Sequence, residues 1–125
     1  MKSVSTPSAP APAGHYSQAM VCNGLVFVSG QLPIDPADGA IAADIEEQTR
    51  QVLDNVENIL LAAGSSLEKV VKSTVYISDI DLWGAVNAVY AKRFGSHRPA
   101  RAVVPTRELH FGCLIEMEVV AERDP

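Results

Sequence analysis

Only two stretches of this 125-residue chain carry the three- and four-residue apolar spacing of a helix, yet its strand-like stretches are apolar on both sides. Val26 and Val28 alternate with Leu25 and Phe27, and Val71, Val75 and Ile77 are set against Val70 and Tyr76. Two helices cover one face of such a sheet, so the other face needs a different cover. With no third helix available, a second copy of the chain is the economical answer. The patterning therefore predicts a homo-oligomer whose sheets pack inward.

The elements behind this argument follow in order. Residues 1–13 hold Pro7, Pro10 and Pro12 among small side chains and read as an extended or frayed arm, followed by a single domain over 14–125. Ala19 to Cys22 and Leu25 to Ser29 flank Asn23-Gly24, the pair best suited to a type I′ hairpin turn. Gly30, Pro33 and the run Asp35-Pro36-Ala37-Asp38-Gly39 end the second strand. From Asp44 to Ala63, Ile45, Val52, Leu53, Val56, Ile59 and Leu60 form the stripe of a helix of about five turns. Asp44 is placed to cap it, with Glu47 three residues on, and Gly64 stops it. Val70 to Ile77 is a β-branched strand, and Leu82, Val86, Val89, Tyr90 and Phe94 mark a second helix from about Asp81 to Phe94. Two last strands, Pro99 to Val104 and Leu114 to Ala121, complete the order β-β-α-β-α-β-β. That order predicts an α+β layer, two helices on one face of a mixed sheet.

Those last strands carry charge in apolar company. Arg101 sits within Ala100-Arg101-Ala102-Val103, and Glu116 and Glu118 alternate with Ile115, Met117, Val119 and Ala121. Strand alternation places the two glutamates on the face away from the helices, at or beside the predicted interface. A charge at a strand end or on an open face ordinarily meets water, whereas a half-buried one is paired or used. On these residues alone both readings stand.

Composition narrows the function. Hydrophobic residues make up 47% and charged residues 20%, ordinary for a folded chain, and the formal net charge of -5 disfavours nucleic acid and anionic membrane as partners. Cys22 and Cys113 lie far apart and suggest free thiols in a reducing, cytoplasmic setting. No apolar run approaches a membrane span. The chain has no phosphate-binding glycine loop and no closely spaced His or Cys pair, so nucleotide cofactors and a metal site lack support. His15, His97 and His110 are isolated, and Ser29 in Val28-Ser29-Gly30-Gln31 is no nucleophile elbow.

Six phrases, Gly14-His15-Tyr16-Ser17-Gln18, Val28-Ser29-Gly30-Gln31-Leu32-Pro33, Gln48 to Val56, Val86-Asn87-Ala88-Val89-Tyr90, Pro99-Ala100-Arg101 and Ile115-Glu116-Met117-Glu118, resemble in order and spacing the RidA (YjgF) family of reactive-intermediate deaminases. The resemblance covers about residues 14 to 123. It implies a chorismate-mutase-like fold, a homotrimer with a site in each intersubunit cleft, and hydrolysis of 2-aminoacrylate and 2-iminopropanoate to a 2-keto acid and ammonia. No metal or organic cofactor is implied. In this resemblance Arg101 grips the substrate carboxylate, a task suited to a planar bidentate fork, and Glu116 orients the attacking water. Tyr16, Ser29 and Asn87 match positions lining the cleft, Tyr16 reaching in from a neighbouring copy, and Gly30 fits a close backbone approach to the ligand.

The chain departs from the family pattern at His15, where Pro is frequent, at Arg98, where an aromatic is common, and at Val103, where Cys is frequent. Arg107 to Phe111 replaces a short loop that usually contains Leu-Pro. These changes border the pocket and bear on the substrate side chain more than on the reaction class. Two other functions stay open: a ligand-binding or chaperone-like module using the same cleft without turnover, and a ribonuclease, which the acidic balance disfavours.

Overall fold

The computed structural model describes residues 1–124. Eight elements run in the order β1 (Lys2–Val4), β2 (Ala19–Cys22), β3 (Leu25–Gln31), α1 (Ile45–Ala62), β4 (Val70–Ile77), α2 (Trp83–Phe94), β5 (Ala100–Pro105) and β6 (Ile115–Glu122), with short 3-10 turns before β4, α2 and β6. The strands form one six-stranded mixed sheet in the order β1-β2-β3-β6-β4-β5. Only β4 and β5, joined through α2, are parallel.

Local chemistry accounts for the boundaries. Asn23 and Gly24 both take positive φ, 51° and 75°, as a type I′ turn between antiparallel strands requires. The Asp44 side chain accepts the Glu47 amide at 2.8 Å and opens α1. Val52, Leu53, Val56, Ile59 and Leu60 of α1 are fully buried against β3 and β6. From β6 they meet Ile115, Met117, Val119 and Ala121, all buried, while Glu116, Glu118 and Val120 on the opposite face stay half-exposed. The helices therefore cover one face only. On the other, Phe27 of β3 is 44% exposed and lies beside Met20 and Val120.

The structure adds a strand and corrects a facing. Of the two forms expected for the arm it takes the extended one: Lys2–Val4 pairs antiparallel with β2, and the buried Gln18 side chain accepts the Thr6 amide at 2.7 Å and donates to the Thr6 and Pro10 carbonyls. The extra strand makes the order β-β-β-α-β-α-β-β. In β4, Val71 does not share a face with Val75 and Ile77. A bulge between Val70 and Lys72 shifts the alternation by one, so Val70 is buried with Ser73, Val75 and Ile77 while Val71 is 48% exposed.

Buried amides tie the loops to this frame. The side chain of Asn55, fully buried on α1, donates to the carbonyls of Leu32 and Ile34 at 3.0 and 2.9 Å and accepts from Gln51. Gln48 donates to the Ala42 carbonyl and accepts the Leu114 amide, both at 2.8 Å. Truncating Asn55 leaves two part-buried carbonyls short of a donor. Asn55→Ala is expected to cost roughly 1–3 kcal/mol in a denaturant melt, against about 0.5 kcal/mol or less for the exposed Lys92→Ala. Equal effects would show that Asn55 does not hold the loop.

Candidate active site

The sequence-predicted site residues fall into two groups on opposite faces of the sheet. Glu116 lies on the open face of β6, paired across to Tyr76 of β4. On its other side β3 is interrupted by a bulge between Val28 and Gln31, which brings Gly30 against the carboxylate. A Cβ built on Gly30 would overlap Glu116 Oε2 and stand 3.2 Å from Cδ. A side chain at 30 would thus force the Glu116 carboxylate out of this position. Ser29 donates its hydroxyl to the Ser17 carbonyl at 2.6 Å and so fixes the segment that carries Tyr16. Tyr16, 48% exposed, lines one small recess together with Gly30, His110 and Phe111.

Glu116 is electrostatically distinct from its neighbour. Burial pushes its carboxyl above the usual carboxylate range, the negative charge of Glu118 pushes it further, and His110 pulls it partly back. Glu118 is engaged by the Tyr76 hydroxyl, which donates to its Oε1. That bond raises the Tyr76 hydroxyl above its ordinary value. Glu116 takes no hydrogen bond from any side chain among the described residues. Of this pair, the carboxyl open to a further donor is therefore Glu116, the one that burial pushes upward.

Arg101 belongs to the other group. Its strand, β5, is an edge strand, and Arg101 pairs with Ser73, whose side chain is buried on the helix side and bonds the Tyr90 hydroxyl at 2.6 Å. Neighbours across a ladder share a face, so Arg101 also points toward α2. Its guanidinium lies 4.7 Å from the Tyr90 ring centre and 5.6 Å from that of Trp83. The ion pairs among the described residues engage Arg50, Lys69, Arg93 and Arg107, and no carboxylate pairs with Arg101. Asn87, three residues before Tyr90 on the same helix face, lines with Arg101 a cavity of about 510 Å3.

One chain therefore does not bring Arg101 and Glu116 together. Their partners on β4, Ser73 and Tyr76, are three residues apart, and β5 and β6 flank β4 on either side. The separation is about 10 Å along the strands and about 10 Å across them, with the side chains on opposite faces. Sequence reasoning also missed three features: the aromatic bracket of Arg101, because Tyr90 reads as helix core; the Tyr76–Glu118 bond; and Phe111, which has positive φ (58°) and is 59% exposed. No residue type in the sequence marks the last. Among the described residues no group of three His, Cys, Asp or Glu side chains is arranged to hold a metal ion.

Known proteins share this arrangement of elements. The family described as endoribonuclease L-PSP matches residues 6–123. A RutC family protein of Pyrococcus horikoshii is 47% identical over 120 residues, covering 95% of each chain. A protein of Salmonella typhimurium named 2-iminobutanoate/2-iminopropanoate deaminase is 40% identical over 125 residues, covering 98% of each. The crystal structure of the YjgF gene product of E. coli superposes with a TM-score of 0.95 at 38% identity, covering 99% of this chain and 100% of that one. Fold and sequence agree over nearly the whole length: the chain belongs to the endoribonuclease L-PSP family, which is the RidA (YjgF) family its sequence phrases resemble.

Proposed function

We propose that this protein hydrolyses 2-imino acids and their enamine tautomers to 2-keto acids and ammonia. The observation that carries the reading is Arg101, a guanidinium held by two aromatic faces and left without a carboxylate of its own. Such a group recognises the carboxylate of a small planar acid through a two-point fork. The deaminase name of the Salmonella relative supports the same chemistry.

The complementary half is Glu116. In the proposed reaction its carboxylate takes a proton from water as the water oxygen attacks the imine carbon. That proton passes to nitrogen to give the neutral carbinolamine, HO–C–NH2; the carboxylate then takes the remaining hydroxyl proton and delivers it to nitrogen as the C–N bond breaks, so that ammonia leaves and the oxygen becomes the C=O of the keto acid. The imine carbon is already electrophilic, so orientation and one base of suitable basicity are enough. Because the two halves lie on opposite faces of one chain, the reading requires Arg101 and Asn87 of one copy to meet Glu116, Gly30, Ser29 and Tyr16 of the next. Unlike surfaces that meet head to tail close into a ring, and we propose a homotrimer. The uncovered face around Phe27 supports this assembly. A reducing, cytoplasmic setting belongs to the proposal and is supported by two free thiols, at Cys22 and Cys113.

The test couples the protein to a pyridoxal-phosphate lyase that releases 2-aminoacrylate and follows ammonia and pyruvate. Arg101→Ala and Glu116→Gln are each expected to lower the enzyme-dependent rate by roughly 10²- to 10⁴-fold. Arg101→Lys keeps the charge and loses the fork, and it should recover only a small part. Wild-type rates in Arg101→Ala, or RNA cleavage that co-purifies with the wild type and is lost in Glu116→Gln, would overturn the assignment.

The pH profile is a second test. The carboxylate is the working form, and burial together with Glu118 favours the protonated one, so kcat/KM should fall on acidification at a pH above the usual carboxylate range. Glu118→Gln removes a negative charge, lowers the Glu116 value and moves the acid limb to lower pH. His110→Gln removes the opposing influence and moves it up. A limb unmoved by either change would exclude Glu116 as the titrating base.

A further inference from the structure

The recess beside Glu116 contains a residue that neither the backbone nor the core accounts for. Phe111 lies at φ 58°, ψ 22°, the left-handed region that bulky side chains avoid. Its ring is 59% exposed, so packing within its own chain does not explain it either. A bulky residue kept in an unfavourable conformation with its apolar surface facing outward points to a use at that place.

Its surroundings say which use. The Phe111 ring stands edge-on to His110, with centroids 4.0 Å apart. Together with Tyr16, Leu32 and Ile34 the two rings wall a recess of about 60 Å3 whose floor includes Gly30, the residue packed against the Glu116 carboxylate. Asn55 holds Leu32 and Ile34 in place through their carbonyls. In the reading above, a substrate whose imine carbon lies at Glu116 directs its carboxylate to Arg101 of the neighbouring copy and keeps its nitrogen within reach of the Glu116 carboxyl. Its remaining substituent, the side chain on C3, is left facing this wall. The recess has the volume of about two waters, enough for a methyl or ethyl group, and a longer chain continues along the exposed faces of Phe111 and Tyr16.

We propose that Phe111, steadied by His110, is the specificity-determining wall for the substrate side chain, and that the preferred substrates are 2-imino acids with extended apolar or aromatic side chains. This rests on the imine-hydrolase reading above and names its substrate class. Imino acids of that kind form when an oxidase removes a hydride from a branched or aromatic amino acid.

The experiment generates imines in place from alanine, leucine, phenylalanine and aspartate with amino-acid oxidases and measures kcat/KM for wild type, Phe111→Ala and Phe111→Leu. In the wild type the leucine- and phenylalanine-derived imines should exceed the alanine-derived one. The ratio of leucine- to alanine-derived activity should drop roughly tenfold or more in Phe111→Ala, the scale on which apolar pockets discriminate, and return in part in Phe111→Leu. Three results would overturn the inference: a ratio unchanged by Phe111→Ala, a wild type that prefers the alanine- or aspartate-derived imine, or an equal loss on every substrate with a smaller assembly mass by light scattering. The last would make Phe111 an intersubunit contact. If the wild type accelerates no imine, the hydrolase reading fails by itself. The same comparison then reads from calorimetric affinities for 4-methyl-2-oxopentanoate and pyruvate, where a ratio insensitive to Phe111→Ala sinks the subsite as well.

Discussion

A sheet has two faces and this chain has helices for one. The placement of the two glutamates follows from that shortage. The side of β6 that carries Ile115, Met117, Val119 and Ala121 is sealed by α1, so the alternation of the strand sends Glu116 and Glu118 to the uncovered side. There Glu116, set between β3 and β4, loses part of its water and feels the charge of Glu118, and this moves its carboxyl upward. Tyr76 resolves the pair unequally by committing its hydroxyl to Glu118. The asymmetry between two glutamates only two residues apart is thus a product of strand geometry and one tyrosine.

The same geometry keeps the charges from cancelling. An arginine and a glutamate within reach of one another in a partly buried site would form an ion pair, and each would lose its capacity to act on a third molecule. Here the sheet stands between them. Arg101 is balanced by the faces of Tyr90 and Trp83, which stabilise a cation without supplying an anion, so its hydrogen-bonding edge stays uncommitted. Meanwhile Gly30 gives the Glu116 carboxylate its space by having no side chain at all.

Much of the fold is legible in the residues because its devices are local. The Asn23-Gly24 turn, the Asp44 cap and the stripe of α1 each depend on neighbours a few positions away. What is not legible depends on pairing. The bulge in β4 reverses the facing of Val70 and Val71 without any Gly or Pro to mark it. Likewise the face of Arg101 follows from its parallel pairing with Ser73, a tertiary fact that alternation within Ala100–Pro105 does not contain. Arg101 and Glu116 stand out in the sequence as misplaced charges, and the separation between them emerges only from the sheet order. Phe111 escapes notice for a related reason: a positive φ at a non-glycine residue has no compositional sign.

The division between core and frame also determines where variation is tolerated. The apolar core sets whether the sheet and α1 form, but it touches the site only through strand positions. The loops that border the site are held instead by the buried amides of Gln18, Gln48 and Asn55, each bonding backbone groups of other segments. A backbone carbonyl is the same acceptor whatever side chain stands beside it. The residues at 107–111 can therefore vary while the adjoining strand remains anchored, through the Leu114 amide, to Gln48. Because that anchor is indifferent to side chains, the side chains at 107–111 can change without disturbing Glu116 on the adjoining strand.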